Sequence, residues 1–226
     1  MIGVFDSGVG GLSAVNEIRA IAPLVNICFL ADKKNAPYGN KSLEEIIEIS
    51  KRNIKILLSH GVEKILIACC TASTAFPYFT EEEKQVCVPI IELAAKRAFE
   101  ISDSKRIGVI ATERTVAERA FTREIQKFSP GANVYEIPTQ NFVAMVESGV
   151  RDYNITAQNI NQIKEELLPL CDKNIDSLIL GCTHFPHIGK TIKDILKVKT
   201  VNPALEGALK ISNEANLLED GKTMYL

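Results

Sequence analysis

The sequence lacks the features that are typical of proteins that bind nucleic acids or span membranes. Its 226 residues carry 26 lysines and arginines against 28 aspartates and glutamates, so the formal net charge is −2 and no basic surface is expected. No apolar run approaches the roughly 20 residues that a transmembrane helix needs. The N-terminus has neither the basic start nor the small-residue cleavage site of a signal peptide. We therefore expect a cytoplasmic protein that binds neither nucleic acid nor membrane.

Cys-x-x-Cys pairs are also missing, although the chain has six cysteines. A disulfide framework is not expected in a chain of this length without a signal peptide. Cys28, Cys87 and Cys171 lie beside apolar residues, and we interpret them as buried free thiols. The other three are Cys69, Cys70 and Cys182, and each follows a short apolar run.

Two apolar segments run directly into reactive side chains. Residues 64–71 read Lys-Ile-Leu-Ile-Ala-Cys-Cys-Thr, and residues 176–184 read Asp-Ser-Leu-Ile-Leu-Gly-Cys-Thr-His. Short apolar runs of this kind are typical of buried parallel strands. Because open α/β sheets bind ligands at the carboxyl ends of their strands, both cysteines are expected beside a ligand.

The similarity between the two segments extends upstream. Residues 2–7, Ile-Gly-Val-Phe-Asp-Ser, resemble residues 107–112, Ile-Gly-Val-Ile-Ala-Thr. The first run begins 67 residues before Cys69, and the second begins 75 residues before Cys182. The chain is therefore predicted to contain two similar α/β halves, with Cys69 and Cys182 lining one cleft from opposite sides.

Predicted strands and helices alternate throughout, which indicates parallel sheets covered by helices. We predict a strand over 88–93, a helix over 94–101, a linker over 102–105 and a further helix over 116–128. The expected domains are residues 1–93 and 94–203, and a C-terminal helix over 204–226 is expected to pack back on the first domain.

The glycine-rich turn over 6–13 follows the first predicted strand. Its glycines allow close approach of a ligand, and amides at a helix start favour an anion. The spacing matches neither the phosphate loop nor the dinucleotide fingerprint. A small carboxylate ligand fits this turn better than a phosphate. Pro37 and Gly39 mark a second turn, and Ser42 is the expected cap of the helix that follows it.

Two thiols that face each other across a ligand suit inversion of a carbon centre. One thiolate removes a proton from one face of the carbon, and the opposing thiol delivers a proton to the other face. A cysteine between a strand end and a helix start has a favourable position for thiolate formation. Asp6 is the candidate assisting group beside Cys69, and His184 and Glu147 are the candidates beside Cys182.

The same residue types also allow a zinc site. Cys69, Cys70, Cys182 and His184 are suitable zinc ligands, although their spacing matches no known finger. Measurement of bound metal in the purified protein distinguishes this alternative.

Five segments give the sequence a family resemblance: Phe-Asp-Ser-Gly-Val-Gly-Gly at 5–11, Pro-Tyr-Gly at 37–39, Ala-Cys-Cys-Thr-Ala-Ser at 68–73, Ile-Ala-Thr-Glu with a further Thr at 110–115, and Gly-Cys-Thr-His-Phe-Pro at 181–186. With these motifs in this order, the sequence resembles the glutamate racemases of the cofactor-independent aspartate/glutamate racemase superfamily. The resemblance implies two flavodoxin-like α/β domains with the active site between them. It also implies interconversion of L- and D-glutamate for peptidoglycan, without pyridoxal phosphate or metal.

The resemblance also implies a role for individual residues. Cys69 and Cys182 match the two catalytic thiols, and Asp6, Glu147 and His184 match the assisting groups. The predicted substrate pocket consists of Ser7, Pro37, Tyr38, Gly39, Cys70, Thr71, Thr112, Thr115 and Thr183. The expected assembly is a homodimer.

The sequence departs from the family pattern at Cys70, where the family has an asparagine that helps to hold the substrate. A thiol is a poor substitute for the hydrogen bonds of an amide. Two alternatives therefore stay open. Beside an active glutamate racemase, the protein could be a weakly active or inactive relative that binds an acidic amino acid or a protein partner, or a racemase of another acidic amino acid such as aspartate.

Overall fold

Two parallel β-sheets form the framework of the molecule. The computed structural model describes residues 1–214 and 220–226. Its strands are β1 Ile2–Asp6, β2 Ile27–Ala31, β3 Lys64–Ile67, β4 Cys87–Pro89, β5 Arg106–Ala111, β6 Asn133–Pro138, β7 Ser177–Gly181, β8 Lys199–Val201 and β9 Thr223–Tyr225. All pairings between these strands are parallel.

The two sheets repeat one strand order. The first sheet runs β4-β3-β1-β2-β9 and the second runs β6-β5-β7-β8. When β9 at the edge of the first sheet is set aside and the strands are numbered within each half, both sheets have the order 2-1-3-4. The flavodoxin-like strand order begins in the same way. The predicted α/β fold with two similar halves is thus confirmed.

Helices separate the strands in both halves: α1 Leu12–Ile21, α2 Leu43–Ser59, α3 Cys70–Ser73, α4 Glu81–Val86, α5 Ile90–Ile101, α6 Glu113–Ala117, α7 Ala120–Phe128, α8 Gln140–Glu147, α9 Ala157–Cys171, α10 Gly189–Leu196 and α11 Pro203–Glu214. Local sequence explains several helix starts. Ser42 accepts a hydrogen bond from the Glu45 N–H, and the Glu45 carboxylate accepts one from the Ser42 N–H. This capping box fixes the start of α2, where the sequence predicts a serine cap.

One hydrophobic core cluster spans both halves. It joins buried residues of β1 and β2, such as Val4 and Phe29, to residues of β5 and β7, such as Val109 and Ile179. Helices α1, α5, α7 and α11 pack against one another within it. No helix in the described ranges is long and apolar enough to cross a membrane.

Three local predictions differ from the structure. Residues 90–93 are the first turn of α5 and not a strand, because β4 ends at Pro89 and Ile90, Ile91, Ala94 and Ala98 bury one helical face. The helix predicted over 116–128 is broken at Arg119, whose φ of 48° is left-handed. Cys171 is exposed, since it lies at the end of α9 rather than in a core.

The C-terminal segment is a helix only in part. Helix α11 is described from Pro203 to Glu214 and packs against α1, α5 and β3. Residues 215–219 of the predicted helix lie outside the described residues. The prediction is wrong for residues 223–225, which form β9 and pair with β2, because parallel backbone pairing there replaces helical hydrogen bonds. The division into domains 1–93 and 94–203 remains a prediction.

Candidate functional site

Corresponding strand ends of the two sheets face one cavity. In each half the chain starts in the middle of the sheet, adds a strand on one side and then crosses to the other. The carboxyl ends of the first and third strands of a half therefore border its crevice, where open α/β sheets bind ligands. Asp6 ends β1, and Cys69 follows β3. In the second half, Thr112 follows β5 and Cys182 follows β7.

A small cavity of about 40 Å³ lies between these strand ends. It is lined by Ser7, Gly8, Ala36, Pro37, Tyr38, Gly39, Cys69, Cys70, Thr71, Thr112, Gln140, Val143, Glu147, Cys182, Thr183 and His184. Twelve of the fourteen predicted site residues thus meet at one cavity, and the other two, Asp6 and Thr115, stand behind its wall. The two thiols reach it from different halves.

Cys69 is buried at the start of α3. The N–H of Ala72 donates to its Sγ at 3.4 Å, and the thiol donates to Ser7 Oγ at 3.6 Å. Burial, and to a smaller extent the nearby Asp6 charge, raises the pKa of the Cys69 thiol to about 11. A pKa this high favours the protonated thiol at neutral pH.

Asp6 is completely buried beneath the glycine-rich turn. The N–H of Gly8 donates to Oδ1 at 3.1 Å, and the Thr183 hydroxyl donates to Oδ2 at 3.3 Å. Burial raises the pKa of Asp6 to about 6, although these hydrogen bonds oppose the shift. The carboxylate bound by the amide of this turn is thus the chain's own Asp6.

Close packing explains two glycines of that turn. A Cβ on Gly11 would lie 2.4 Å from the Asp6 Cβ, and a Cβ on Gly10 would lie 2.5 Å from Thr183 Oγ1. Side chains at these positions would displace Asp6 and the loop of the second half. The turn therefore joins the two halves directly behind the cavity.

Cys182 has an imidazole as its polar neighbour. Its Sγ lies 3.4 Å from His184 Nδ1, and His184 Nε2 lies 3.4 Å from Glu147 Oε1. The contact between His184 and Glu147 is short enough for an ion pair, but its geometry is not that of a hydrogen bond. His184 Nε2 therefore has no hydrogen-bond partner in the described residues. Burial raises the pKa of Cys182 and lowers the pKa of His184, whereas Glu147 opposes the shift of His184.

Cys70 forms part of the cavity wall and is almost completely buried. Burial raises its pKa well above the usual value, and a thiolate at Cys182 or Cys69 would raise it further. The neutral thiol offers a substrate only weak hydrogen bonding.

Three threonine hydroxyls form a cluster across the two halves. Thr71 Oγ1 lies 2.9 Å from Thr112 Oγ1 and 3.3 Å from Thr115 Oγ1, and the Thr112 and Thr115 oxygens are 3.0 Å apart. Thr115 is fully buried and holds the other two hydroxyls, which line the cavity.

Tyr38 lines the cavity but uses its hydroxyl elsewhere. The hydroxyl donates to Asp32 Oδ2 at 2.7 Å and accepts from Asn53 Nδ2 at 3.0 Å. Arg52 also donates to Asp32 Oδ2 at 2.8 Å. This buried network ties the turn over 37–40 to α2, so Tyr38 positions the turn.

Within residues 1–214 and 220–226, no three histidine, cysteine, aspartate or glutamate side chains converge as metal ligands. The zinc alternative therefore lacks a ligand set in this part of the chain.

Sequence reasoning missed four residues of the wall: Gly8, Ala36, Gln140 and Val143. Gln140, Val143 and Glu147 lie at positions i, i+3 and i+7 of α8, which share one helical face. Because Glu147 was predicted to lie at the site, the helical spacing alone could have predicted Gln140 and Val143 as further residues of the wall.

Comparison with known proteins yields a consistent set of relatives. A family model described as Asp/Glu/Hydantoin racemase matches residues 13–210. A glutamate racemase of Lactobacillus acidophilus is 36% identical over 201 residues, which cover 88% of this chain and 74% of that protein. A glutamate racemase of Persephonella marina is 39% identical over 195 residues, covering 86% and 74%.

The fold is similar to a solved structure of the same class. The crystal structure of glutamate racemase from Francisella tularensis in complex with D-glutamate gives a TM-score of 0.89 at 33% identity. The match covers 99% of this chain and 86% of that one.

Proposed function

The chain belongs to the Asp/Glu/hydantoin racemase family, and we propose that it interconverts L- and D-glutamate by proton transfer at Cα between Cys69 and Cys182. One observation carries the proposal: two thiols from opposite halves line a single small cavity. A carbon held between them is accessible to one sulfur on each face. This arrangement suits inversion, which needs an acid and a base on opposite sides.

Each turnover removes one proton from Cα and delivers another proton to its opposite face. In one direction the Cys69 thiolate removes the Cα proton and becomes a thiol, while the C–H electron pair remains on the substrate as a carbanion. The Cys182 thiol then protonates the opposite face and becomes a thiolate. The reverse direction exchanges the two roles, and no cofactor or metal takes part in either.

Formation of the thiolate is tied to substrate binding. Burial favours the protonated form of both thiols. An amino acid brings its ammonium group into that low-dielectric space, and a nearby cation lowers a thiol pKa. Asp6 accepts the proton of Cys69, and His184 exchanges a proton with Cys182 while Glu147 orients the imidazole.

Substrate carboxylates are held by neutral donors. Among the described residues that line the cavity there is no lysine or arginine, and Glu147 is the acid. The hydroxyls of Ser7, Thr71, Thr112 and Thr183 and backbone N–H groups therefore bind the carboxylates. Neutral donors leave the ammonium as the main positive charge beside the thiols.

Circular dichroism of L- and D-glutamate tests the activity. The purified, reduced protein is incubated with either enantiomer and a metal chelator, without pyridoxal phosphate. We expect the circular dichroism signal of either enantiomer to decay to zero, because both incubations end as an equal mixture of L- and D-glutamate. Cys69→Ala and Cys182→Ala should each abolish the decay while keeping the circular dichroism spectrum of the folded protein.

Cys70 favours one second candidate, which is binding of an acidic amino acid without turnover. A buried thiol replaces a strong hydrogen-bonding group in the wall, so the substrate is held less firmly. Saturable glutamate binding with no decay of either enantiomer would support this candidate. Decay with aspartate alone would instead identify a racemase of a different acidic amino acid.

The cellular role follows from the reaction. The enzyme supplies D-glutamate for peptidoglycan and acts in the cytoplasm as a homodimer. Growth of a D-glutamate auxotroph that expresses this chain tests the role, and light scattering after size-exclusion chromatography tests the dimer.

A further inference from the structure

Helix α8 contributes three side chains to the lining of the cavity. Gln140, Val143 and Glu147 share one face of the helix and line the cavity together. Seven residues at about 1.5 Å each separate the two ends of this row by about 10 Å. An extended dicarboxylic amino acid fits within this length.

The two ends of the row differ in charge. At one end the Glu147 carboxylate lies 3.4 Å from His184 Nε2, and His184 in turn contacts Cys182. At the other end Gln140 lies beside Gly39 and Thr112, where the described lining residues carry no charge. A carboxylate far from the reacting carbon is repelled by Glu147 and is therefore directed to the Gln140 end.

The Gln140 amide reaches across the cleft to the first half. A Cβ on Gly39 would lie 2.9 Å from Gln140 Oε1 and 3.4 Å from Nε2, so the amide packs against the backbone of the turn over 38–40. Gln140 Oε1 is buried and has no hydrogen-bond partner among the described residues. A buried amide atom without its hydrogen bond is costly. Rotation of the amide by about 180° places Nε2–H at this position, and a carboxylate oxygen of a bound ligand is the acceptor that would then complete the pair.

We propose that the Gln140 amide binds the side-chain carboxylate of the substrate and sets the length of the dicarboxylic acid that the cavity accepts. The inference rests on the proposed racemase function and assigns Gln140 as a specificity residue of that site. Rotation about the last side-chain bond exchanges Nε2 with Oε1, so the amide donates Nε2–H to the carboxylate. Because the lining offers no cation there, this neutral donor contributes much of the recognition.

Binding to a catalytically silent protein tests the assignment without relying on turnover. D-glutamate is titrated calorimetrically into Cys182→Ala and into the same chain with Gln140→Leu, Gln140→Glu or Gln140→Asn. Gln126→Glu is the matched control, because Gln126 is exposed on α7 and outside the cavity. Thermal unfolding of each variant verifies folding.

Each variant has a distinct expected result. Gln140→Leu raises the Kd about tenfold because it removes the donor, and Gln140→Glu raises it more because two carboxylates then face each other. Gln140→Asn withdraws the amide by one methylene, so the preference shifts toward 2-aminoadipate, which is one methylene longer than glutamate. Gln126→Glu leaves the Kd unchanged.

Three outcomes would overturn the assignment. An unchanged Kd in Gln140→Leu means that the amide only fills space, and tighter binding in Gln140→Glu means that it faces the ammonium group. An unchanged preference in Gln140→Asn removes the length-setting role. If the wild-type chain racemises glutamate while any of these holds, the specificity role fails alone. If Cys182→Ala binds no glutamate and the wild-type chain shows no racemisation, the proposed function fails as well.

Discussion

At the scale of single residues, burial decides the chemistry of this site. The repeated strand–cysteine pattern identified Cys69 and Cys182 from sequence, because it depends only on neighbours in the chain. Their raised pKa values depend on burial and on Asp6, which is distant in sequence from both. Such environments are created by folding, so the sequence predicted the two thiols correctly, but the position at a helix start that it took to favour the thiolate is outweighed by burial, which raises both pKa values.

Asp6 gives the first prediction at this scale. Burial raises its pKa to about 6, so its carboxylate is increasingly protonated below that pH and cannot accept the Cys69 proton. We expect kcat/KM to fall as the pH decreases through about 6. Asp6→Asn should remove this acid limb and lower kcat/KM about 10²- to 10⁴-fold, the usual range for loss of general acid–base assistance.

The pH profile of kcat/KM in both directions measures this effect. The reaction has an equilibrium constant of one, so Asp6→Asn must lower kcat/KM equally for L- and D-glutamate. An unaltered acid limb in Asp6→Asn would assign that limb to another group, such as His184.

At the scale of elements, short turns hold the site in place. The glycine-rich turn packs against Asp6 and Thr183, and the turn over 37–40 is tied to α2 through Tyr38 and Asp32. The sequence identified both turns from glycine and proline. It did not predict that Tyr38 directs its hydroxyl away from the cavity, because Asp32 and Asn53 meet it only after folding. Likewise, the left-handed Arg119 that separates α6 from α7 has no signal in residue type.

Gly10→Ala tests the packing of the first turn. The new Cβ would lie 2.5 Å from Thr183 Oγ1 and 3.0 Å from His184 Cε1, so the loop that carries Cys182 must shift. Because small misplacements of reacting groups are costly, kcat/KM should fall about 10- to 100-fold. Gly131→Ala is the control, since a Cβ there meets no atom within 4 Å. Equal activity of the two variants would refute the role of this contact.

Tyr38→Phe tests the second turn. It removes the 2.7 Å hydrogen bond to Asp32, which should lower the free energy of unfolding by about 1–2 kcal/mol. The loosened turn should raise KM several-fold with little change in kcat, since no reacting atom is lost. Denaturant titration and steady-state kinetics measure the two effects. Tyr153→Phe is the control at an 87% exposed tyrosine, and similar losses there would contradict the prediction.

At the scale of the whole molecule, two similar halves share one core. The repeat predicted two sheets, and the structure adds the packing of α1, α5, α7 and α11 into a cluster that joins them. The sequence predicted a helix where β9 pairs with β2, because three residues are too few to show the alternation of a strand. A shared core keeps the two thiols in register across the cavity.

This shared core predicts cooperative unfolding. We expect one calorimetric transition, because neither half can expose its face of the common cluster without disrupting the other. D-glutamate at 100 times its Kd should stabilise the folded state by about 2.7 kcal/mol and should raise the same single transition. Two transitions, with the ligand shifting one of them alone, would show that the halves unfold independently.

The most direct measurement of the two-thiol mechanism is deuterium content at Cα during early turnover in deuterated buffer. Each enantiomer is supplied with hydrogen at Cα, and mass spectrometry after chiral separation follows substrate and product. The account predicts deuterium in the product from the first turnovers and hydrogen in the remaining substrate, because one thiol removes the proton and the other delivers a solvent-derived deuteron. Product that retains hydrogen at Cα, or racemisation that survives in Cys69→Ala or Cys182→Ala, would contradict it.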